Sequence, residues 1–117
     1  MRYMILINND ESSKATDSDR QQIHAAYSKY TQELKNAGVM LAGDALYPSS
    51  KGGARIKVAS GKRTVTDGPF TEAKELVGGY YLIQVKSRDE ALEWAARCPG
   101  AQYDGVEVRE VIDMTNM

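Results

Sequence analysis

Cysteine and histidine are nearly absent from this chain, which holds one of each, Cys98 and His24. A single cysteine excludes an internal disulfide and suits a reducing compartment. One cysteine and one histidine do not supply the ligand sets of common metal centres, and no cofactor is expected. An excess of charge is missing as well: the formal net charge is −1, which gives no pull toward nucleic acid or anionic lipid. No apolar run is long enough to span a bilayer. The opening run from Met1 to Asn8 is too short for a secretory leader, and no small-residue cleavage site follows it. These absences predict a cytoplasmic protein with neither nucleic acid nor membrane among its partners. A phosphate-cradling glycine loop is also lacking, since Gly52-Gly53 is not followed by Lys-Ser/Thr.

What remains is ordinary globular material. The chain has 117 residues, 42% hydrophobic and 26% charged, enough for one domain with its own core. The whole of 1–117 is expected to be that single domain.

Periodicity supplies the elements. Tyr3 to Asn8 reads as a buried strand ended by the turn formers Asn9 to Ser13. Ser18-Asp19-Arg20-Gln21 matches a capping box, and Ile23, Ala26, Tyr27, Tyr30, Leu34 and Ala37 recur at three- and four-residue steps as one helical stripe. Gly38 stops this helix, because a glycine takes the left-handed conformation cheaply. Val39 to Leu46 returns as a strand. Arg55–Ala59 and Arg63–Thr66 form a hairpin about Ser60-Gly61-Lys62. Asp67-Gly68-Pro69-Phe70 then breaks the pattern, and Thr71 to Glu75 is helix-prone. Val77 to Val85 is the next strand. Ser87-Arg88-Asp89-Glu90 is a second capping box, opening a helix with Ala91, Leu92, Trp94 and Ala95 that ends at Cys98-Pro99-Gly100. Val106 to Ile112 is the last strand, and Asp113 to Met117 reads as a frayed tail.

The order predicts an α+β domain of ferredoxin-like βαββαβ type with an inserted hairpin, an antiparallel sheet and both helices on one face. Strand alternation then divides the sheet residues into two sets. Tyr3, Ile5, Ile7, Val39, Leu41, Tyr81, Ile83, Val85, Val106 and Val108 suit the helix side. Met4, Leu6, Met40, Ala42, Tyr80, Leu82 and Val111 share the other face with Asp44, Gln84, Glu107 and Arg109. That second face is too apolar for open solvent and implies a second copy, forming a homodimer through the sheet. A long loop folded over it is the alternative. An RNA-binding sheet of the same topology lacks support here, since the RNP-type aromatic and basic pattern is missing.

The run Val65-Thr66-Asp67-Gly68-Pro69-Phe70-Thr71-Glu72-Ala73-Lys74-Glu75, followed by Gly78-Gly79-Tyr80-Tyr81, resembles the DGPF family of YCII-related proteins. Arg2 to Leu6, Ala42-Gly43, Glu90 to Ala95 and Val106 to Arg109 agree with it. The resemblance implies a dimeric α+β barrel, and the DGPF group has no agreed activity. YCII-like relatives carry a His–Asp pair, and the resemblance puts those positions at Tyr27 and at Cys98 before Pro99. Neither side chain ordinarily titrates near neutrality, so such a dyad is not expected here. His24, one turn earlier, has no visible orienting carboxylate and reads as a helix-surface residue.

The leading functional expectation is a homodimer with a small-molecule pocket and an isomerase- or lyase-type activity. Asp67 would be the acid or base, with Tyr27 as a second catalytic group. Gly68, Pro69 and Phe70 at a pocket mouth, with Asp44, Tyr80 and Arg109, would hold an anionic or phenolic ligand. Turn chemistry alone is the competing account of Asp67-Gly68-Pro69-Phe70. The second expectation is a non-catalytic accessory domain, because DGPF proteins often occur beside extracytoplasmic-function sigma factors, which makes a sigma factor a partner by association.

Overall fold

The structure, a computed structural model, describes residues 1–9, 17–70 and 76–116. The described elements follow in the order β1 (Arg2–Asn9), α1 (Asp17–Asn36), β2 (Met40–Ala45), β3 (Ala54–Ala59), β4 (Lys62–Asp67), β5 (Leu76–Gln84), α2 (Arg88–Arg97) and β6 (Val106–Glu110). The residues at 10–16 and the expected helix at 71–75 lie outside the described residues.

β2, β5, β1 and β6 form a four-stranded sheet in that spatial order, each neighbouring pair antiparallel. This is the ferredoxin-like arrangement. Among the described residues β3 and β4 pair only with each other, as a separate two-stranded ribbon. Its turn residues Ser60 and Gly61 both have positive φ, 51° and 75°, the geometry of the two-residue turn that matches strand twist. Lys62 is therefore already in the strand rather than the turn.

The core lies between the sheet and the two helices. Ile5 and Ile83 face Leu34 there, all three at 0% exposure. Burial of one such aliphatic side chain is worth about 1.5–3 kcal/mol. Tyr30 crosses the helix layer: its hydroxyl donates to the Trp94 carbonyl at 2.7 Å, and its ring meets Tyr81 edge-on at 5.3 Å. α1 starts at Asp17, so Ser18 is inside the helix rather than capping it. It ends as expected at Gly38, with φ of 72° and the Val39 N–H returning to the Leu34 carbonyl. Ser87 caps α2 by accepting from the Glu90 N–H at 3.1 Å. The Glu90 carboxylate reaches back to the Lys86 N–H. Ala91 and Ala95 are the buried face of α2, while Leu92 points outward at 37% exposure.

The two sheet faces need one correction. An irregularity in β2 places Leu41 out of register, because Met40 pairs with Ile83 while Ala42 already pairs with Leu82. The extra residue reverses the alternation on one side of it. Met40 consequently packs on the core, and Leu41 stands 49% exposed. The tail is also more ordered than expected: Met114–Asn116 forms a short 3₁₀ turn, and the Asp113 carboxylate accepts from the Thr115 N–H and hydroxyl.

Candidate functional site

α1 carries Arg20, His24, Tyr27 and Thr31 at i, i+4, i+7 and i+11, a spacing that stacks them along one helical stripe. This stripe lies beside the apolar one of Ile23, Tyr30 and Leu34. It faces the edge of the sheet where β2 and β5 bring in Gly43 and Gly79, and a cavity of about 430 Å³ opens between them. Glycine is what leaves the room. A Cβ on Gly43 would lie 2.8 Å from the Tyr81 ring and 3.0 Å from the Met40 methyl. A Cβ on Gly79 would lie 3.0 Å from the Asp44 carbonyl. Larger residues in these strand positions would displace Tyr81 and Met40 into the space or force the strands apart.

The walls are aromatic with few polar atoms. Tyr81 faces α1, and its hydroxyl shares a 2.6 Å hydrogen bond with the Thr31 hydroxyl. Burial pushes the Tyr81 phenol up, although the Thr31 contact opposes the shift. The Tyr27 ring lines the cavity from the helix side. Its hydroxyl lies at the far end, beside the Cys98 thiol. Gly100 is required beside it, since a Cβ there would come within 2.6 Å of the Tyr27 hydroxyl oxygen. Burial pushes the Tyr27 phenol well above the ordinary tyrosine range, and the neighbouring Cys98 adds to the shift. Cys98 is 1% exposed, and burial likewise pushes its thiol up, with neighbouring Gly100 and Tyr27 opposing the shift. Both shifts favour the protonated forms of Tyr27 and Cys98, and the pair builds the far wall of the cavity. His24 and Arg20 line the helix side of the cavity, and the His24 side chain is exposed.

The other expected site residues are dispersed. Asp44 and Tyr80 border the cavity, but the pleat sends their side chains to the opposite sheet face. There the Tyr80 hydroxyl donates to the Asp44 carboxylate at 2.9 Å, which pushes the Tyr80 phenol up. Arg109 is on the same outer face, on the opposite edge strand, paired with Glu107 at 3.1 Å. Asp67, Gly68, Pro69 and Phe70 are at the base of the β3–β4 ribbon and do not line the cavity. The backbone N–H groups of Gly68 and Phe70, the donors this turn could have offered a ligand, are bonded within the chain. Gly68 donates to the Gly53 carbonyl at 2.8 Å, and Phe70 donates to the Ser49 hydroxyl at 2.9 Å. A Cβ on Gly68 would collide with the Ser49 carbonyl. Phe70 is 7% exposed, with the Arg55 guanidinium 3.9 Å above its ring. In this chain the motif clamps the ribbon to the loop at 48–53.

Reading the sequence alone missed His24, Arg20, Thr31 and the two glycines as cavity residues. A polar stripe running beside the apolar one on the first helix was the available signal for the first three. The glycines carried none, because nothing local says which face of a strand a missing side chain would have occupied.

A family model for the YCII-related domain matches residues 1–115. A protein of Rhizobium meliloti (strain 1021), described as uncharacterized, is 34% identical over 97 residues, which cover 81% of this chain and 77% of that one. Among solved structures, 5-chloro-2-hydroxyhydroquinone dehydrochlorinase (TftG) from Burkholderia phenoliruptrix AC1100, in complex with 2,5-dihydroxybenzoquinone, is similar with a TM-score of 0.52. It is 15% identical, and the match covers 96% of this chain and 94% of that one. At that identity the likeness concerns the fold.

Proposed function

We propose that this chain, which belongs to the YCII-related domain family, is a homodimeric small-molecule protein. Its ligand, a single oxygenated ring of phenol or quinone type, occupies the cavity between α1 and the β2–β5 edge. The cavity itself carries the reading: about 430 Å³, glycine-floored, with tyrosine rings on two sides and His24 and Arg20 on the helix side. Volumes of this order suit a small ligand, and apolar walls with a few polar groups are the usual composition of such sites. A flat ring would lie against Tyr27 and Tyr81, with its oxygens toward Arg20 and His24. The dihydroxybenzoquinone held by the dehydrochlorinase of similar fold supports a ligand of this class. An isomerase- or lyase-type proton transfer would draw on the His24 side chain on the helix side of the cavity rather than on Tyr27, whose phenol burial pushes up.

Calorimetric titration with 2,5-dihydroxybenzoquinone and hydroxybenzoates tests the site. Saturable binding is expected, with affinity lowered at least tenfold in Gly43→Ala, whose methyl group intrudes between Tyr81 and Met40. Equal affinity in the variant, or no binding across the panel, sinks the reading. Co-purification with a sigma factor in place of a ligand would favour the accessory-domain alternative.

The dimer forms through the outer sheet face, where Met4, Leu6, Ala42, Tyr80 and Leu82 are half-buried in the single chain. Asp44–Tyr80 and Glu107–Arg109 pair at its edges, so the polar groups reach the interface already partnered. Leu82→Glu, placing two carboxylates against each other, is expected to yield monomers. Light scattering of the native protein at micromolar concentration should give twice 12.9 kDa, and a clean monomer would remove the dimer.

A further inference from the structure

We propose that the β3–β4 ribbon is an arm that clasps a second copy of this chain with the face bearing Ile56, Val58 and Val65; this rests on the homodimer reading above and adds a second contact to it. Every residue of both strands is exposed, and the ribbon's chief contacts are between its own two strands. The cross-strand register sorts its side chains into two unlike faces. Ile56 faces Val65 and Val58 faces Arg63 on one, while Lys57 faces Thr64 and Arg55 faces Thr66 on the other. The first face, which also sets Ala54 opposite Asp67 at the base, is apolar between Asp67 and Arg63, yet Ile56, Val58 and Val65 stand 66%, 64% and 46% exposed.

A two-stranded hairpin is marginally stable at best unless one face packs on something. Here the second face is solvated by its charges, and the Arg55–Phe70 contact holds only the base. The chain's radius of gyration is 16.2 Å, against about 13 Å for a compact domain of this length, as a projecting arm requires.

Charge selects the occupant. Residues 51–67 hold Lys51, Arg55, Lys57, Lys62 and Arg63 against one acid, Asp67, a segment net of +4 inside a chain of net −1 that leaves −5 on the rest. A cationic arm and an anionic body on the same chain attract between copies, and a two-fold axis uses each contact twice. Arg63, on the apolar face itself, offers its cation directly to the partner's body. Each face of the ribbon measures roughly 20 Å by 10 Å from strand spacing and rise, so two arms add about 400 Å² of projected contact to the sheet face.

Sedimentation velocity across a concentration series separates the two contacts. Ile56→Thr with Val58→Thr keeps β-branching and the strand but removes the apolar surface. The expected result is a dimer dissociation constant raised at least thirtyfold, with an unchanged circular dichroism spectrum. A constant within twofold of the native one overturns the arm, including the case in which the ribbon serves a different protein. If Leu82→Glu is monomeric while the threonine variant dimerises normally, the arm fails and the sheet interface stands. If the reverse holds, the sheet interface fails and the arm stands. A native monomer ends both. Hydrogen exchange provides the second measurement: amides of 54–67 should be protected more above the dissociation constant than below it, and equal protection counts against the arm.

Discussion

The two halves of α1 share one helix and differ in almost everything else. Its C-terminal half is welded to the sheet: Tyr30 and Leu34 are 3% and 0% exposed, and the Tyr30 hydroxyl ties the helix to α2. In its N-terminal half Ile23 and Tyr27 are only half-buried, and the helix stands off the sheet over Gly43 and Gly79. One half holds the fold and the other leaves a space. A helix can do this because its stability is set locally by packing, so an underpacked turn survives when the next two are anchored.

Deleting methyl groups in each half should expose this difference most strongly. Leu34→Ala is expected to cost about 3 kcal/mol in chemical denaturation, and Ile23→Ala about 1 kcal/mol or less. Equal losses would show that the N-terminal half is as tightly packed as the other. A smaller effect concerns the Tyr30 hydroxyl. Tyr30→Phe removes its hydrogen bond to the Trp94 carbonyl and should cost about 1 kcal/mol at neutral pH.

The pH dependence sharpens the same point. Burial pushes the Tyr30 phenol up, with Cys98 and Tyr81 adding and Arg97 opposing, so the folded chain holds a proton that the unfolded one releases from about pH 10. Its contribution is present below that pH and is lost as pH rises above it. Cys98 behaves alike from about pH 9. Denaturation midpoints should fall on the alkaline side, and Tyr30→Phe should flatten that fall. A slope unchanged in the variant would place the alkaline loss elsewhere. The smallest effect is chemical: at 1% exposure and with a raised pKa, the Cys98 thiol should react with a disulfide reagent at pH 8 only after denaturation. Rapid labelling of the native protein would mean that the far wall behind Tyr27 opens readily.

Much of the scaffold was legible because its signals are local. The Ser87 cap, the Gly38 terminator and the Ser60-Gly61 turn each depend on a few adjacent residues, and each formed where its chemistry predicts. The positions that the family resemblance paired, Tyr27 and Cys98, do meet across the fold. Leu41 was misplaced because an added residue in β2 reverses alternation without altering composition. Asp67-Gly68-Pro69-Phe70 read as a pocket mouth because its residue types suit a turn and a ligand equally well. Its N–H groups were in fact claimed by Ser49 and Gly53, whose approach no local pattern announces.

The amino-acid order by itself determined the periods, the caps and the single antiparallel layer with helices on one side, since each follows from interactions over a few residues. Only the tertiary structure decided that Gly43 and Gly79 would lie beneath His24 and Tyr27, and that the amphipathic ribbon would project with its apolar face open. A cavity is space left by atoms that are absent, between elements distant in the chain, and its place is known only when both sides have packed.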